Sequence, residues 1–116
     1  ESPLATVIEL LEKAKDTLAA TTMELGQYGF KSDVHYPALY ASPYLEMFGH
    51  LVTARMLTEQ AVIAEQKLEG ASASEAKYYN AKIKTAEFFA HQILPQVESI
   101  AASIRSQDRS ALEVDL

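Results

Sequence analysis

The sequence predicts an all-α fold, an up-down bundle of three long antiparallel helices with a short fourth helix in the first connection. Two patterns and one kind of punctuation predict it. Leu4, Leu11, Leu18 and Leu25 recur one heptad apart near the start, and two interleaved heptad rows run through the last third, Tyr79/Ala86/Ile93/Ile100 and Ile83/Ala90/Val97/Ile104. Ser-Pro pairs and glycines fall where such helices would begin and end. At 116 residues the chain has the length of one domain around one core.

The first helix is predicted over 3–25. Ser2 and Pro3 serve as cap and first helical residue, Val7, Ile8 and Ala14 widen the leucine stripe, and Gly26 ends it. The connection 27–42 holds Gly29 and Pro37 and has no sustained period. Its length suits one short helix from Asp33 to Ala41 better than a structureless loop.

Ser42-Pro43 is the strongest start signal, so the second helix is predicted over 43–69 with Gly70 as its stop. Its apolar residues, among them Leu45, Phe48, Leu51, Val52, Met56 and Ile63, cover an arc wider than one seam, which implies more than one packing neighbour. A short polar link leads to a third helix over 75–106, capped by Ser74 and running antiparallel to the second. Pro95 lies inside that helix and predicts a bend near 91–95 rather than a stop, because the apolar stripe continues in phase beyond it. The polar tail 107–116 is expected to be loosely held.

Hydrophobic residues make up 48% of the chain and charged ones 22%, which is ordinary for a folded domain. A net charge of −6 has the wrong sign for binding nucleic-acid phosphates, and Lys77, Lys82 and Lys84 point different ways around their helix. No apolar run reaches the length of a membrane span. With no cysteine there is neither a disulfide framework nor a thiolate metal site, and a reducing cytoplasm is the expected setting. The chain opens Glu1-Ser2-Pro3 without an initiator methionine, so a piece of a longer protein is expected.

No phosphate-binding glycine loop, nucleophile-base arrangement or forced carboxylate pair is present, so no catalytic, cofactor-binding or metal-ligating residue is assigned. Glu46/His50 and Glu87/His91 are spaced four apart, one residue longer than the Glu-x-x-His of carboxylate di-iron bundles, and read as two solvated pairs on helix surfaces. Arg55 stands near the middle of the broad apolar arc of the second helix with Glu59 one turn later. It reads either as an internal ion pair or as a group reaching across to another domain or subunit. Phe88 lies nearly opposite the seam of the third helix and marks either an exposed aromatic or a second buried side. Arg55, Glu59 and Phe88 are therefore the candidate interface residues. Tyr36, Tyr40, Tyr44, Tyr78 and Tyr79 sit near helix starts and suit either core-edge packing or a contact surface at one end of the bundle.

Four segments carry a family resemblance: Tyr44-Leu45-Glu46-Met47-Phe48-Gly49-His50, Lys82-Ile83-Lys84-Thr85-Ala86-Glu87-Phe88-Phe89-Ala90, Ile93-Leu94-Pro95-Gln96 and Asp108-Arg109-Ser110-Ala111. In this order, over 43–116, the chain resembles the extra C-terminal helical domain of a subgroup of bacterial acyl-CoA dehydrogenases. The punctuated stretch from Gly26 to Pro43 departs from that family's more continuous, alanine-rich helix.

The resemblance implies a parent enzyme that oxidises an acyl-CoA thioester with FAD, whose catalytic and flavin-binding residues lie in upstream domains. This segment would hold no cofactor. It would pack on those domains or on a second subunit, and, separated from them, it would expose a face able to self-associate. The alternative is a free-standing helical module that binds a partner helix through the broad face of the second helix.

Overall fold

The computed structural model describes residues 2–115. The elements are α1 (Leu4–Phe30), α2 (His35–Leu39), α3 (Ala41–Lys67), α4 (Ala73–Gln92), α5 (Gln96–Arg105) and α6 (Ser110–Glu113), and no strand occurs among the described residues. Side-chain bonds between helices fix their directions. Ser2 bonds Glu65 and Thr22 bonds Tyr44, so α1 and α3 run antiparallel; Thr17 bonds Glu98 and Arg105 bonds Glu24, so α5 runs parallel to α1. The three long passes are up, down and up, as the sequence predicts.

The helix ends differ from expectation at three places, each for a local reason. α1 passes through Gly26 and Gly29 to Phe30. Both glycines take helical geometry with open space where a Cβ would sit, so neither position requires glycine. α3 begins at Ala41, which places Pro43 in the first turn, where its missing N–H costs nothing. Ser72, not Ser74, caps α4: its hydroxyl accepts the Glu75 N–H while the Glu75 carboxylate accepts the Ser72 N–H, a reciprocal pair that closes two open donors. Gly70 does take the left-handed conformation, φ 80°, that turns the chain between α3 and α4.

The predicted continuous third helix is two helices. Leu94 N–H reaches back to the Phe89 carbonyl, a wide turn, and the next donors, Gln96, Val97 and Glu98, each bond three residues back, a tight turn. Pro95 supplies no N–H between them. The break leaves the direction of the stripe unchanged: Ile83, Ala86, Ala90, Leu94, Val97, Ala101 and Ile104 are all buried. Ile93 and Ile100, expected on the seam, are half-buried at its edge. A strict seven-residue repeat drifts about 20° per heptad on a straight helix, so Leu94 and Ala101 take over from the drifting row.

The core is thin and rich in alanine. Seven of the sixteen buried apolar residues are alanine, and they let the helices approach closely while burying little area each. One cluster gathers Leu4, Val7, Ala61, Ala64, Ile83, Ala86 and Ala90; the other gathers Ala14, Leu18, Met47, Ala54, Leu94, Val97, Ala101 and Ile104. The chain measures 63 × 29 × 18 Å with a radius of gyration of 18.5 Å, whereas a compact domain near this size has about 13 Å. The result is a rod with a high share of surface.

Two substitutions test this account by chemical denaturation. Gly29→Ala is expected to stabilise by about 0.5–1 kcal/mol, because the site is helical and open. Met47→Ala, at a fully buried side chain, is expected to destabilise by about 2–5 kcal/mol.

Candidate interaction surface

The distribution of size around α3 is inverted relative to a simple bundle helix. Beyond the buried Met47 near its start, the residues of α3 that face inward are small, Ala54, Thr58, Ala61 and Ala64, and the Thr58 hydroxyl is satisfied by its own helix at the Ala54 carbonyl, 2.7 Å. The larger Leu45, Phe48, Val52, Met56 and Ile63 face outward, with Met56 57% and Ile63 53% exposed. α1 contributes Ile8 and Leu11 to the same side. A groove of about 560 Å³ lies between the helices, lined by Ile8, Leu11, Glu12, Lys15, Phe48, Leu51, Val52 and Arg55. A second, of about 510 Å³, is lined by Leu11, Arg55, Thr58, Glu59, Val62 and Ile63. Leu11 and Arg55 belong to both, so the two form one trough along the α1/α3 seam.

Arg55 and Glu59 stand at the middle of this trough. Arg55 Nε donates to Glu59 Oε1 at 3.3 Å, and both side chains are largely in water. Such an exposed pair contributes little to stability, and the rest of the guanidinium fork stays open to a further acceptor. Phe88 lies elsewhere. It is 62% exposed on α4 and lines neither part of the trough, so Arg55, Glu59 and Phe88 do not form one site.

The two Glu/His pairs are not equivalent solvated pairs. The His50 ring packs edge-on toward Phe89, with centroids 6.4 Å apart. Its buried Nε2 lies 3.6 Å from Glu46 and makes no hydrogen bond. Glu87 pairs with Lys84 at 3.4 Å instead of with His91. No cluster of three or more His, Cys, Asp or Glu able to hold a metal occurs among the described residues.

The tyrosines divide between the two ends of the rod. Tyr78 and Tyr79 meet at the start of α4, while Tyr28, Tyr36 and Tyr40 stack in sequence around α2 at the other end.

That second group is part of a clamp that ties the start of the tail, at Asp108 and Arg109, to α2 and the end of α1. The Arg109 guanidinium lies over the Tyr36 ring at 4.9 Å and the Tyr28 ring at 5.7 Å, and it donates to Asp33. Asp33 also accepts the N–H groups of His35 and Tyr36, which fixes the start of α2. The Tyr36 hydroxyl donates to the Ile104 carbonyl, and the Tyr40 hydroxyl to the Asp108 carbonyl. Asp108 in turn accepts from Ser110 at the start of α6. Burial raises the Tyr36 phenol above its ordinary pKa. The hydrogen bond from Arg109 holds the Asp33 carboxyl below the usual aspartate range. Sequence reading singled out Asp108-Arg109-Ser110-Ala111 as a motif without its partners, which lie far upstream.

Comparison with known proteins places this geometry in a family context. The family described as "Acetyl-CoA dehydrogenase C-terminal like" matches residues 1–115. The broad-specificity linear acyl-CoA dehydrogenase FadE5 of Mycobacterium tuberculosis is 29% identical over 118 aligned positions, covering 97% of this chain and 19% of that protein. The chain thus spans about a fifth of the length of the curated relative it matches.

The clamp makes a pH prediction. The folded-state pKa of Asp33 is depressed, so its contribution is present above the unfolded aspartate value, about 4, and is lost as pH falls through the lower folded value. In an acid titration followed by NMR, the Arg109 side-chain and Tyr36 amide signals, both from donors to Asp33, should shift together below pH about 4. Asp33→Asn should abolish that step.

Proposed function

Because the chain belongs to the acetyl-CoA dehydrogenase C-terminal-like family, we propose that it is the non-catalytic C-terminal accessory and assembly domain of an FAD-dependent acyl-CoA dehydrogenase. In this reading the parent is a cytoplasmic oligomeric flavoprotein of fatty-acid metabolism that oxidises an acyl-CoA thioester. This segment packs on its catalytic domains or on a second subunit. The observation that carries the packing role is the inverted size pattern on α3, where large apolar side chains face out over a core of alanines. A helix apolar on both sides is stable in water only when both sides find neighbours.

This reading assigns no FAD to this segment. The cavity at the tyrosine end, lined by Glu24, Tyr28, Lys31, Tyr36, Arg105 and Gln107 among others, is about 130 Å³. Sites for organic cofactors are about 300–1,000 Å³. The larger trough is open and apolar, and its charged groups carry no array of backbone donors suited to a pyrophosphate. Flavin and acyl-CoA are therefore assigned to the upstream domains of the parent. No helix among the described residues is long and apolar enough to cross a membrane.

The test is made in the full-length parent enzyme. Met56→Asp, at an exposed position of the 116-residue chain, should leave that chain's own stability within about 0.5 kcal/mol. In the parent it should lower the melting temperature or dissociate subunits, while turnover per bound flavin is retained in the protein that remains assembled. An unchanged melting temperature and subunit state, or flavin-dependent turnover by the 116-residue chain alone, would refute the reading.

A further inference from the structure

We infer that the trough along α1 and α3 is the contact between two copies of this chain, paired face to face about a two-fold axis at the level of Leu57. The inference rests on the assembly reading and names its partner.

The pattern along the face is its own complement under a half-turn. Arg55 and Glu59 lie symmetrically about position 57, with Leu51 and Val52 on one side and Ile63 and Val62 at the mirrored positions on the other. When a second α3 is laid antiparallel on the first, Arg55 of each copy falls opposite Glu59 of the other, and the apolar groups on one side meet those on the other side of the partner. Two intrachain pairs become a ring of four alternating charges at the centre, covered by apolar contacts at both ends. An isologous interface requires this arrangement, in which residue i meets j and j meets i.

Charge supports the same partner. The chain carries −6 overall, yet the trough holds one acid and one base from each helix, Glu12 with Lys15 and Arg55 with Glu59. Pairing two copies here brings together neutral patches of acidic molecules, and neither a basic nor an acidic partner is favoured by it. Size is consistent with a reversible pair. The lining from Phe48 to Ile63 spans about 24 Å of α3, and two adjacent helices about 20 Å, so the face is on the order of 500 Å² per copy, the lower end of specific interfaces, which suits a concentration-dependent dimer.

Sedimentation equilibrium of the 116-residue chain over a wide concentration range tests the pairing. The expected result is a monomer–dimer equilibrium. Each single reversal, Arg55→Glu or Glu59→Arg, should weaken dimerisation at least about tenfold, because it opposes like charges across the axis. The double variant R55E/E59R should recover most of the lost affinity, since both halves of the ring are exchanged.

Circular dichroism on dilute samples should show unchanged helix content for all three variants. Should a reversal unfold the monomer, Val52→Glu on the same face replaces it and should also abolish the dimer. A monomer at the highest concentration overturns the inference, and so does a double variant no better than the singles. If the chain is monomeric while Met56→Asp still disrupts the parent enzyme, the catalytic body covers the outer face of α3, and the pairing falls while the assembly role stands.

Discussion

The structure depends on close approach of three helices through small side chains. Ala54, Thr58, Ala61 and Ala64 on α3, with Ala14 on α1 and Ala86, Ala90 and Ala101 on the last pass, leave so little between the backbones that bulk has to go elsewhere. Buried apolar area near 25 cal/mol per Å² is the main source of stability in a domain of this kind. A core this rich in alanine therefore gains its stability by length, along a 63 Å rod, rather than by depth. The exposed row Phe48, Val52, Met56 and Ile63 is the other half of the same allocation: side chains too large for the inner seam are held on the outer one.

Much of this was legible in the sequence, because helices that are packed along their length leave a periodic signature. The leucine heptads, the row Ile83/Ala90/Val97/Ile104, the turn at Gly70 and the breadth of the apolar arc on the second helix all correspond to observed features. What escaped depended on contacts distant in sequence or on competition between local signals. Gly26 reads as a stop and Gly29 as part of a connection, but α1 continues through both and carries Tyr28 to Tyr36. Ser72 and Ser74 are equally good caps in isolation, and only the Glu75 carboxylate reaching back decides between them.

The surface was legible in part. Arg55 and Glu59 were identified because a charge in an apolar arc is conspicuous, and the structure places them at the centre of a trough whose other wall, Ile8 and Leu11, belongs to a helix read as facing its own neighbours. Phe88 was singled out by the same logic and lies apart. His50 shows the converse error. Spacing alone suggested a solvated pair, whereas the ring is largely covered and turned toward Phe89. Helical spacing says which residues share a face of one helix; it does not say how far a neighbouring helix wraps around that face.

The clamp on the tail joins segments separated by 76 positions, Asp33 and Arg109. A contact across so long a loop is entropically costly to form from the unfolded chain, but once the bundle is in place it is a short-range tie between two otherwise weakly held pieces. Neither α2 nor α6 has enough residues to persist alone. α2 packs on α1 and α3 as well, and the two short helices are tied to each other by Arg109 over the Tyr36 ring and by the Tyr40 hydroxyl on the Asp108 carbonyl. Amide exchange at this end of the rod then belongs to one cooperative opening unit, in which the first connection and the last turn lose protection at the same rate while α3 and α4 remain closed.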